Sequence, residues 1–318
     1  MKHEPQPEEA LAIVRDLVRV EPSGVRRFAT GTEHYVFEVV FTRRKPLVVR
    51  MARADNRDTI ANATRLSRKL RALGVPLPSI LAVELDAQFP YMVIERFPGV
   101  DLGMAMRGLA DAKLAAIAEK VVDAQRLTAT IPDAGRYGYT ATADDAPHPT
   151  WSAVISGILD RARSRIVAAG VFDLSAVDAL DWIVLAARPE LDEFAATPFL
   201  HDATTKNVIV TLDGDFSGIV DVDDLCFGDP RLAPALTQAS IEMSQKPNAY
   251  VEHWLAASGG LDDRVFRLYV ALFLVDFMGE IGHAANGNEP PANQTQRGRL
   301  QGLAAERIDA LDIEWGMG

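Results

Sequence analysis

Cysteine is almost absent from this sequence, with one residue, Cys226, among 318. A single thiol cannot form an internal disulfide, and it cannot build a cysteine cage around a metal. A zinc site is not expected either, because His253 and His283 have no partners at metal-ligand spacing. The chain is nevertheless long enough for two lobes with hydrophobic cores of their own.

Long apolar runs are absent as well. No stretch of 18 apolar residues occurs, so no transmembrane helix is predicted. The first residues, MKHEPQPEEALAIV, contain acids and prolines where a signal peptide needs an uninterrupted apolar core. These absences predict a cytoplasmic protein with no membrane partner.

Positive charge is scarce in the larger part of the chain. Residues 1–96 contain 16 Lys and Arg against 12 Asp and Glu, whereas residues 97–318 contain 17 against 32. The acidic part would repel a phosphate backbone, so no nucleic-acid partner is expected. It would attract cations, and the mildly basic first part suits phosphates. A surface that only keeps the protein in solution explains the same charges equally well.

The first 96 residues are predicted to form a small antiparallel sheet with one inserted helix. Residues 7–20 have apolar positions at helical spacing behind acids in the first turn, which predicts a helix ahead of the sheet. Apolar and β-branched runs then predict strands at 25–29, 34–41, 45–52, 80–85 and 90–97. The inserted helix is predicted over 59–74, where Gly74 and two following prolines end it.

Beyond residue 101 the pattern becomes mostly helical. Helical spacing predicts helices over about 110–129, 151–169, 175–194, 231–257, 261–285 and 294–312. The exception is NVIVTLDGDFSGIVDVDD, in which two short strands flank an Asp-Gly turn, a hairpin signal.

This hairpin follows a polar loop that contains Asp202 and leads into Asn207. Its second strand ends at Asp221, so Asn207 and Asp221 are expected to converge at the ends of paired strands. Carboxylate and amide oxygens suit Mg²⁺, which takes few protein ligands when phosphate oxygens complete its shell. Asp202 would then lie beside the metal as a free carboxylate, suited to orient a hydroxyl and accept its proton. A turn that only stabilises the strand entry is the alternative for Asp202.

The same loops resemble those of known kinases. Asp202 and Asn207, with Asp221 following, are similar to the catalytic and metal-binding loops of protein kinases. The segment DVDDLCFGDP, with seven residues from Asp221 to Gly228, resembles the aminoglycoside phosphotransferase family, which includes choline and homoserine kinase-like enzymes. The resemblance implies an α+β, bilobal protein-kinase-like fold. Residues 1–96 would be the N-lobe, which covers the nucleotide, and residues 97–318 a mainly helical C-lobe, which holds the acceptor.

The resemblance extends through the first lobe and implies a nucleotide site there. Gly31 lies where the family has its nucleotide-covering hairpin, and Arg50 stands where a phosphate-pairing lysine is usual. The backbone of Glu95 and Phe97 would meet the base, and Asp101 would reach the ribose. Lys206 would be a second phosphate contact. The glutamate that usually pairs with the basic residue is missing, since Asn62 or Ala63 stands near its expected place.

The implied activity is transfer of the γ-phosphoryl group of ATP or GTP, with Mg²⁺, to a hydroxyl of a small molecule. An aminoglycoside, as in antibiotic resistance, leads the list of acceptors, and a macrolide, choline or homoserine stays open. A nucleotide-binding pseudoenzyme is the alternative outside catalysis. Asp276 and Glu280 lie one turn apart in an apolar helix. They would form an anionic wall for an amine-bearing acceptor, or bridge to a neighbouring helix instead.

Overall fold

The first part of the chain forms a five-stranded antiparallel sheet flanked by two helices. The computed structural model describes residues 4–28, 34–244, 249–283 and 293–316. The strands follow the order β1-β2-β3-β5-β4. Their bounds are β1 Gly24–Arg27, β2 Tyr35–Val40, β3 Leu47–Met51, β4 Ile80–Glu84 and β5 Tyr91–Glu95, and the helices are α1 Pro7–Val18 and α2 Arg57–Ala72.

The two helices cover opposite faces of this sheet, which is why β3 is buried along its whole length. Successive side chains of a strand point to opposite faces. Val49 accordingly joins the cluster formed with α1, whereas Arg50, its neighbour, stands opposite Met92 on the face turned towards α2. The predicted sheet with one inserted helix is confirmed.

The rest of the chain is mainly helical and is built around one buried helix. This helix, α9 (Arg264–Glu280), is buried on nearly all sides because four other helices pack against it. Asp263 caps it by accepting hydrogen bonds from the amides of Val265 and Phe266, both at 3.0 Å. The remaining helices are α3 Leu102–Ala105, α4 Asp111–Thr128, α5 Trp151–Ala169, α6 Ser175–Leu191, α7 Leu232–Ser244, α8 Tyr250–Ser258 and α10 Gln294–Glu314.

One predicted helix is wrong. The stretch 231–257 contains two helices, α7 and α8, rather than one. The sequence between them contains a proline, which disfavours one continuous helix because it lacks an amide hydrogen, while the apolar spacing on both sides favoured one.

Two three-stranded sheets connect the helical part to the loops that carry Asp202 and Asp221. One has the order β10-β9-β6 and the other β7-β11-β8. The bounds are β6 Val100–Asp101, β7 Gly138–Thr140, β8 Thr197–Phe199, β9 Val208–Val210, β10 Phe216–Ile219 and β11 Leu225–Gly228. The predicted hairpin is β9 and β10. None of the helices in the described ranges is long and apolar enough to cross a membrane. The division between residues 96 and 97 stays a prediction.

Candidate active site

The loop between β8 and β9 is fastened at its start by a buried glutamine. Gln125 of α4 accepts a hydrogen bond from the Leu200 amide at 2.8 Å, and its own amide nitrogen donates to the Leu200 carbonyl at 2.9 Å. Phe199 and Leu200 are themselves buried. The loop therefore leaves a rigid base, as a site built on a scaffold requires. The sequence pattern did not single out Gln125; a polar residue on the apolar face of a helix was the available signal.

Asp202 is partly buried and faces Asn207. The Asn207 side-chain nitrogen donates to the Asp202 carboxylate at 2.8 Å and to its backbone carbonyl at 2.9 Å. Burial raises the pKa of Asp202 to about 6, and the charge of Asp221 adds to the rise, while His201 opposes it. A carboxylate with a raised pKa is a better proton acceptor than an ordinary aspartate. A cation bound beside it would lower that pKa again.

Asn207 and Asp221 lie at neighbouring ends of the paired strands β9 and β10. The Val220 amide donates to the Asn207 carbonyl at 2.8 Å, which sets Asp221, the next residue, beside it. Asp221 has a φ of 63°, an uncommon left-handed conformation for a residue other than glycine. Such outliers concentrate at functional sites. In the described part of the chain the Asn207 side-chain oxygen has no hydrogen bond, so it and the exposed Asp221 carboxylate are suitable donors for Mg²⁺.

Arg50 is held by carboxylates of the loop that follows β10. Its Nη2 lies 2.8 Å from an Asp221 oxygen, and 2.8 and 2.9 Å from the two oxygens of Asp223. His34 adds a third contact, with Nε2 3.0 Å from Asp223. Burial alone would raise the pKa of Asp223, but the Arg50 charge and His34 hold that pKa well below its usual value.

The α2 helix offers Arg50 no carboxylate. Asn62 and Ala63, which stand near the expected place of that partner, carry no charge. Ala63 packs on the sheet, and Asn62 lines a surface pocket. Ser67 is the α2 residue that lines the same small cavity as Arg50.

A second ion pair connects the loop of Asp202 to the loop that follows β10. His201 Nε2 lies 2.6 Å from Asp224, and the His201 ring meets the Tyr139 ring edge-on, with centroids 4.9 Å apart. Burial lowers the pKa of His201, but Asp224 outweighs it and leaves that pKa raised. His201 therefore braces the loop that carries Asp202. Of the two adjacent acids, Asp223 contacts Arg50 and His34, whereas Asp224 contacts His201.

The predicted nucleotide-binding segment lies between the sheet and the helical part. The Glu95 carboxylate accepts from the Ser79 hydroxyl at 3.0 Å, so this side chain is turned towards β4. The Phe97 ring covers Gly218, where a Cβ would lie 2.3 Å from the ring. Within the described residues no hydrogen bond engages the Phe97 amide. Asp101 caps α3 through one oxygen, 2.9 Å from the Met104 amide.

Three further predicted residues are Gly31, Asp276 and Glu280. Gly31 lies outside the described residues. Asp276 is 6% exposed and accepts a hydrogen bond from Arg161 of α5 at 3.1 Å, so it bridges to a neighbouring helix. The side chain of Glu280, by contrast, is accessible to solvent.

The charges around Glu280 are mixed. Partial burial and the neighbouring Asp276 raise the pKa of Glu280, while Arg165, Lys206 and Arg161 oppose the rise. Lys206, on the loop of Asp202, is therefore close enough for its charge to act on Glu280 at the end of α9. This face combines carboxylates with basic side chains, and the anionic wall for an acceptor stays a prediction.

A small antiparallel sheet packed on a helical part, with the loops of Asp202 and Asp221 between them, is the architecture of kinase-like phosphotransferases. Comparison with family models gives the particular family: residues 24–269 match the phosphotransferase enzyme family, and the chain belongs to it. It is a small-molecule kinase that transfers a phosphoryl group to a hydroxyl. The predicted family is thereby confirmed. A comparison with curated protein sequences finds no significant match.

Solved structures agree on the fold. The GDP and kanamycin complex of APH(2")-IIia is 17% identical, with 98% of this chain and 99% of that chain covered and a TM-score of 0.64. ADP-bound aminoglycoside phosphotransferase APH(2'')-Ib is 13% identical, with 96% and 99% covered and a TM-score of 0.64. A thermostable mutant of aminoglycoside phosphotransferase APH(4)-Ia with ADP and hygromycin B is 17% identical, with 98% and 99% covered and a TM-score of 0.63. The predicted bilobal kinase-like fold is confirmed.

Proposed function

We propose that this chain transfers the γ-phosphoryl group of ATP or GTP to a hydroxyl of a small, amine-bearing acceptor, with aminoglycosides as the leading class. The observation that carries the proposal is the convergence of Asp202, Asn207 and Asp221. The Asn207 side chain donates to Asp202 at 2.8 Å, and its carbonyl accepts from the residue before Asp221 at 2.8 Å.

Each of these residues has a separate task in the proposed reaction. Asp202 orients the acceptor hydroxyl and takes its proton. Asn207 and Asp221 would hold Mg²⁺, which when bound would supply positive charge to neutralise the transferring phosphoryl group. Arg50 contacts the phosphates as a planar fork of donors. Phe97 offers its amide to the base, and Asp101 has a second carboxylate oxygen that is not used in capping α3.

An amine-bearing acceptor is supported by two observations of different kind. Residues 97–318 contain 32 acidic side chains against 17 basic ones, which favours cations near this part of the molecule. Structural neighbours bind kanamycin and hygromycin B. A neutral hydroxyl compound is the second candidate, because Arg161 already neutralises Asp276 on the face next to the catalytic loop.

The test is a transfer assay with a panel of acceptors, each measured with ATP and with GTP. Aminoglycosides, a macrolide, choline and homoserine should be compared at low and high salt. We expect phosphorylation of a cationic acceptor, with a Michaelis constant that rises with salt because screening shortens the field to about 8–10 Å. The panel should also include a neutral polyol, and phosphorylation of the polyol with no transfer to any amine-bearing member would overturn the cationic acceptor. No transfer to any member, with nucleotide binding intact, would favour the pseudoenzyme.

Glu280→Gln should raise the Michaelis constant of a cationic acceptor more than it lowers turnover. Glu280 is the solvent-accessible carboxylate of this face, and loss of binding common to ground and transition states produces that pattern. Steady-state kinetics with acceptor and nucleotide varied in turn measure both constants. Asp309→Asn, on the exposed side of α10, removes the same charge elsewhere and is the control.

Asp276→Asn is expected to behave differently from Glu280→Gln. It leaves Arg161 without its buried partner, so the melting temperature should fall along with acceptor binding.

Equal Michaelis constants for Glu280→Gln and the unmodified protein would remove Glu280 from the acceptor site.

A further inference from the structure

Asp223 lies where three parts of the nucleotide site meet. Its carboxylate contacts Arg50 of β3 at 2.8 and 2.9 Å, and His34, just ahead of β2, at 3.0 Å. It also follows Asp221, the proposed metal ligand, by two residues. One side chain thus connects two strands of the sheet to the loop after β10.

Arg50 requires a carboxylate partner because its guanidinium group is buried beside the five-stranded sheet. The residue is 5% exposed, and a buried charge is costly unless it is paired and hydrogen-bonded. The α2 helix has a single acid, Asp58, which lines the outer surface pocket. The side of α2 that reaches the cavity beside Arg50 presents Ser67. The helix therefore cannot supply the carboxylate.

The two carboxylates that contact Arg50 are not equivalent. The Asp221 side chain is 45% exposed and stands at the proposed cation site, whereas the Asp223 side chain is 29% exposed and also contacts His34. When the nucleotide and a cation bind, the Asp221 carboxylate would coordinate the cation and would no longer pair with Arg50. The Asp223 carboxylate would remain paired with Arg50.

We propose that Asp223 is the positioning residue that holds Arg50 towards the nucleotide phosphates, in place of a glutamate on α2. The inference rests on the proposed nucleotide site. The residue that orients Arg50 would then lie on the same loop as the proposed metal ligand, Asp221. The position of this loop would therefore set both the phosphate-binding side chain and the metal ligand. The orientation of α2 then has no direct effect on Arg50.

The test compares a nucleoside with a non-hydrolysable triphosphate as probes, because only the second reaches Arg50. Asp223→Asn should weaken binding of the triphosphate by about 10- to 100-fold, taking as a guide the loss seen when a residue that orients a metal-binding side chain is removed. Binding of adenosine or guanosine should stay unchanged. Isothermal titration of both probes measures the difference, and no acceptor is needed.

A double-substitution cycle separates positioning from general stability. If Asp223 acts through Arg50, the Arg50→Gln, Asp223→Asn double variant should bind the triphosphate no more weakly than Arg50→Gln alone. Asp58→Asn, which removes the only acid of α2, should bind both probes normally. Equal weakening of nucleoside and triphosphate by Asp223→Asn, or additive effects in the cycle, would overturn the proposal.

Asp223→Glu provides a comparison that does not depend on the asparagine variant folding. It keeps the charge, so it should bind the triphosphate more tightly than Asp223→Asn or, where that variant is unfolded, than Arg50→Gln. Triphosphate binding as weak as that of Arg50→Gln, with nucleoside binding intact, would contradict the proposal. An unmodified protein that binds neither probe would refute the proposed function itself, whereas a normal unmodified protein with unaffected Asp223 variants would refute only the role of Asp223.

Discussion

Asp202→Ala is expected to lower turnover by about two to four orders of magnitude, the range for loss of a positioned general base. The carboxylate is the group in this loop with a pKa raised towards neutrality, through burial first and the nearby Asp221 second. Without it, nothing at that position orients the acceptor hydroxyl or takes its proton. Turnover should be measured with both substrates saturating.

The loop itself should survive the substitution. Asn207 also donates to the backbone carbonyl of residue 202, and Gln125 holds Leu200 through two hydrogen bonds, and neither contact involves the lost side chain. Nucleotide binding and the melting temperature should therefore change little. Asp215→Asn, an exposed charge paired with Lys113, is the control for loss of an acid. Near-normal turnover of a folded Asp202→Ala protein would remove Asp202 from the proposed mechanism.

The central residues of the site were predictable because their relation is local. Asp202 and Asn207 are five residues apart on one loop, and Asp221 follows Asn207 by one hairpin. A short loop and a two-stranded turn leave few ways to separate them, so the order of residues nearly determines their proximity. The same holds for the small sheet, where each strand carried its own apolar pattern.

Partners that come from distant parts of the chain were not predictable. Arg50 and Asp223 are 173 positions apart, and Gln125 and Leu200 are 75 apart. Only the fold decides which distant polar residue meets a buried charge. Asp276 gives the same lesson: its isolation in an apolar helix marked it as unusual, but Arg161 lies on another helix, 115 positions away.

Very short strands were missed for a related reason. β7 and β8 have three residues each, too few for a periodic pattern to appear. They are strands because β11 pairs with both, and this pairing joins segments far apart in the sequence. Those pairings nevertheless position the loops, because β8 leads into the loop of Asp202 and β11 follows the loop of Asp221.

Loss of the proposed cation ligands should have the second large effect. Asp221→Asn and Asn207→Ala should each raise the Mg²⁺ concentration needed for half-maximal activity, by on the order of tenfold or more. Asp221→Asn should raise it further, because it removes a negative charge at the cation whereas Asn207→Ala removes a neutral oxygen. Activity titrated against Mg²⁺ at fixed nucleotide measures both shifts.

The two variants should also differ in turnover at saturating Mg²⁺. Asn207 donates to the Asp202 carboxylate at 2.8 Å, so its removal also disturbs the proposed base. Asp221→Asn leaves that bond in place, and asparagine tolerates the left-handed backbone at φ 63°, so the fold should be kept. Saturating Mg²⁺ should therefore restore turnover more fully in Asp221→Asn than in Asn207→Ala. Unchanged Mg²⁺ titrations for both variants would place the cation on other residues, and the convergence of Asn207 and Asp221 would then serve only to fasten the two loops.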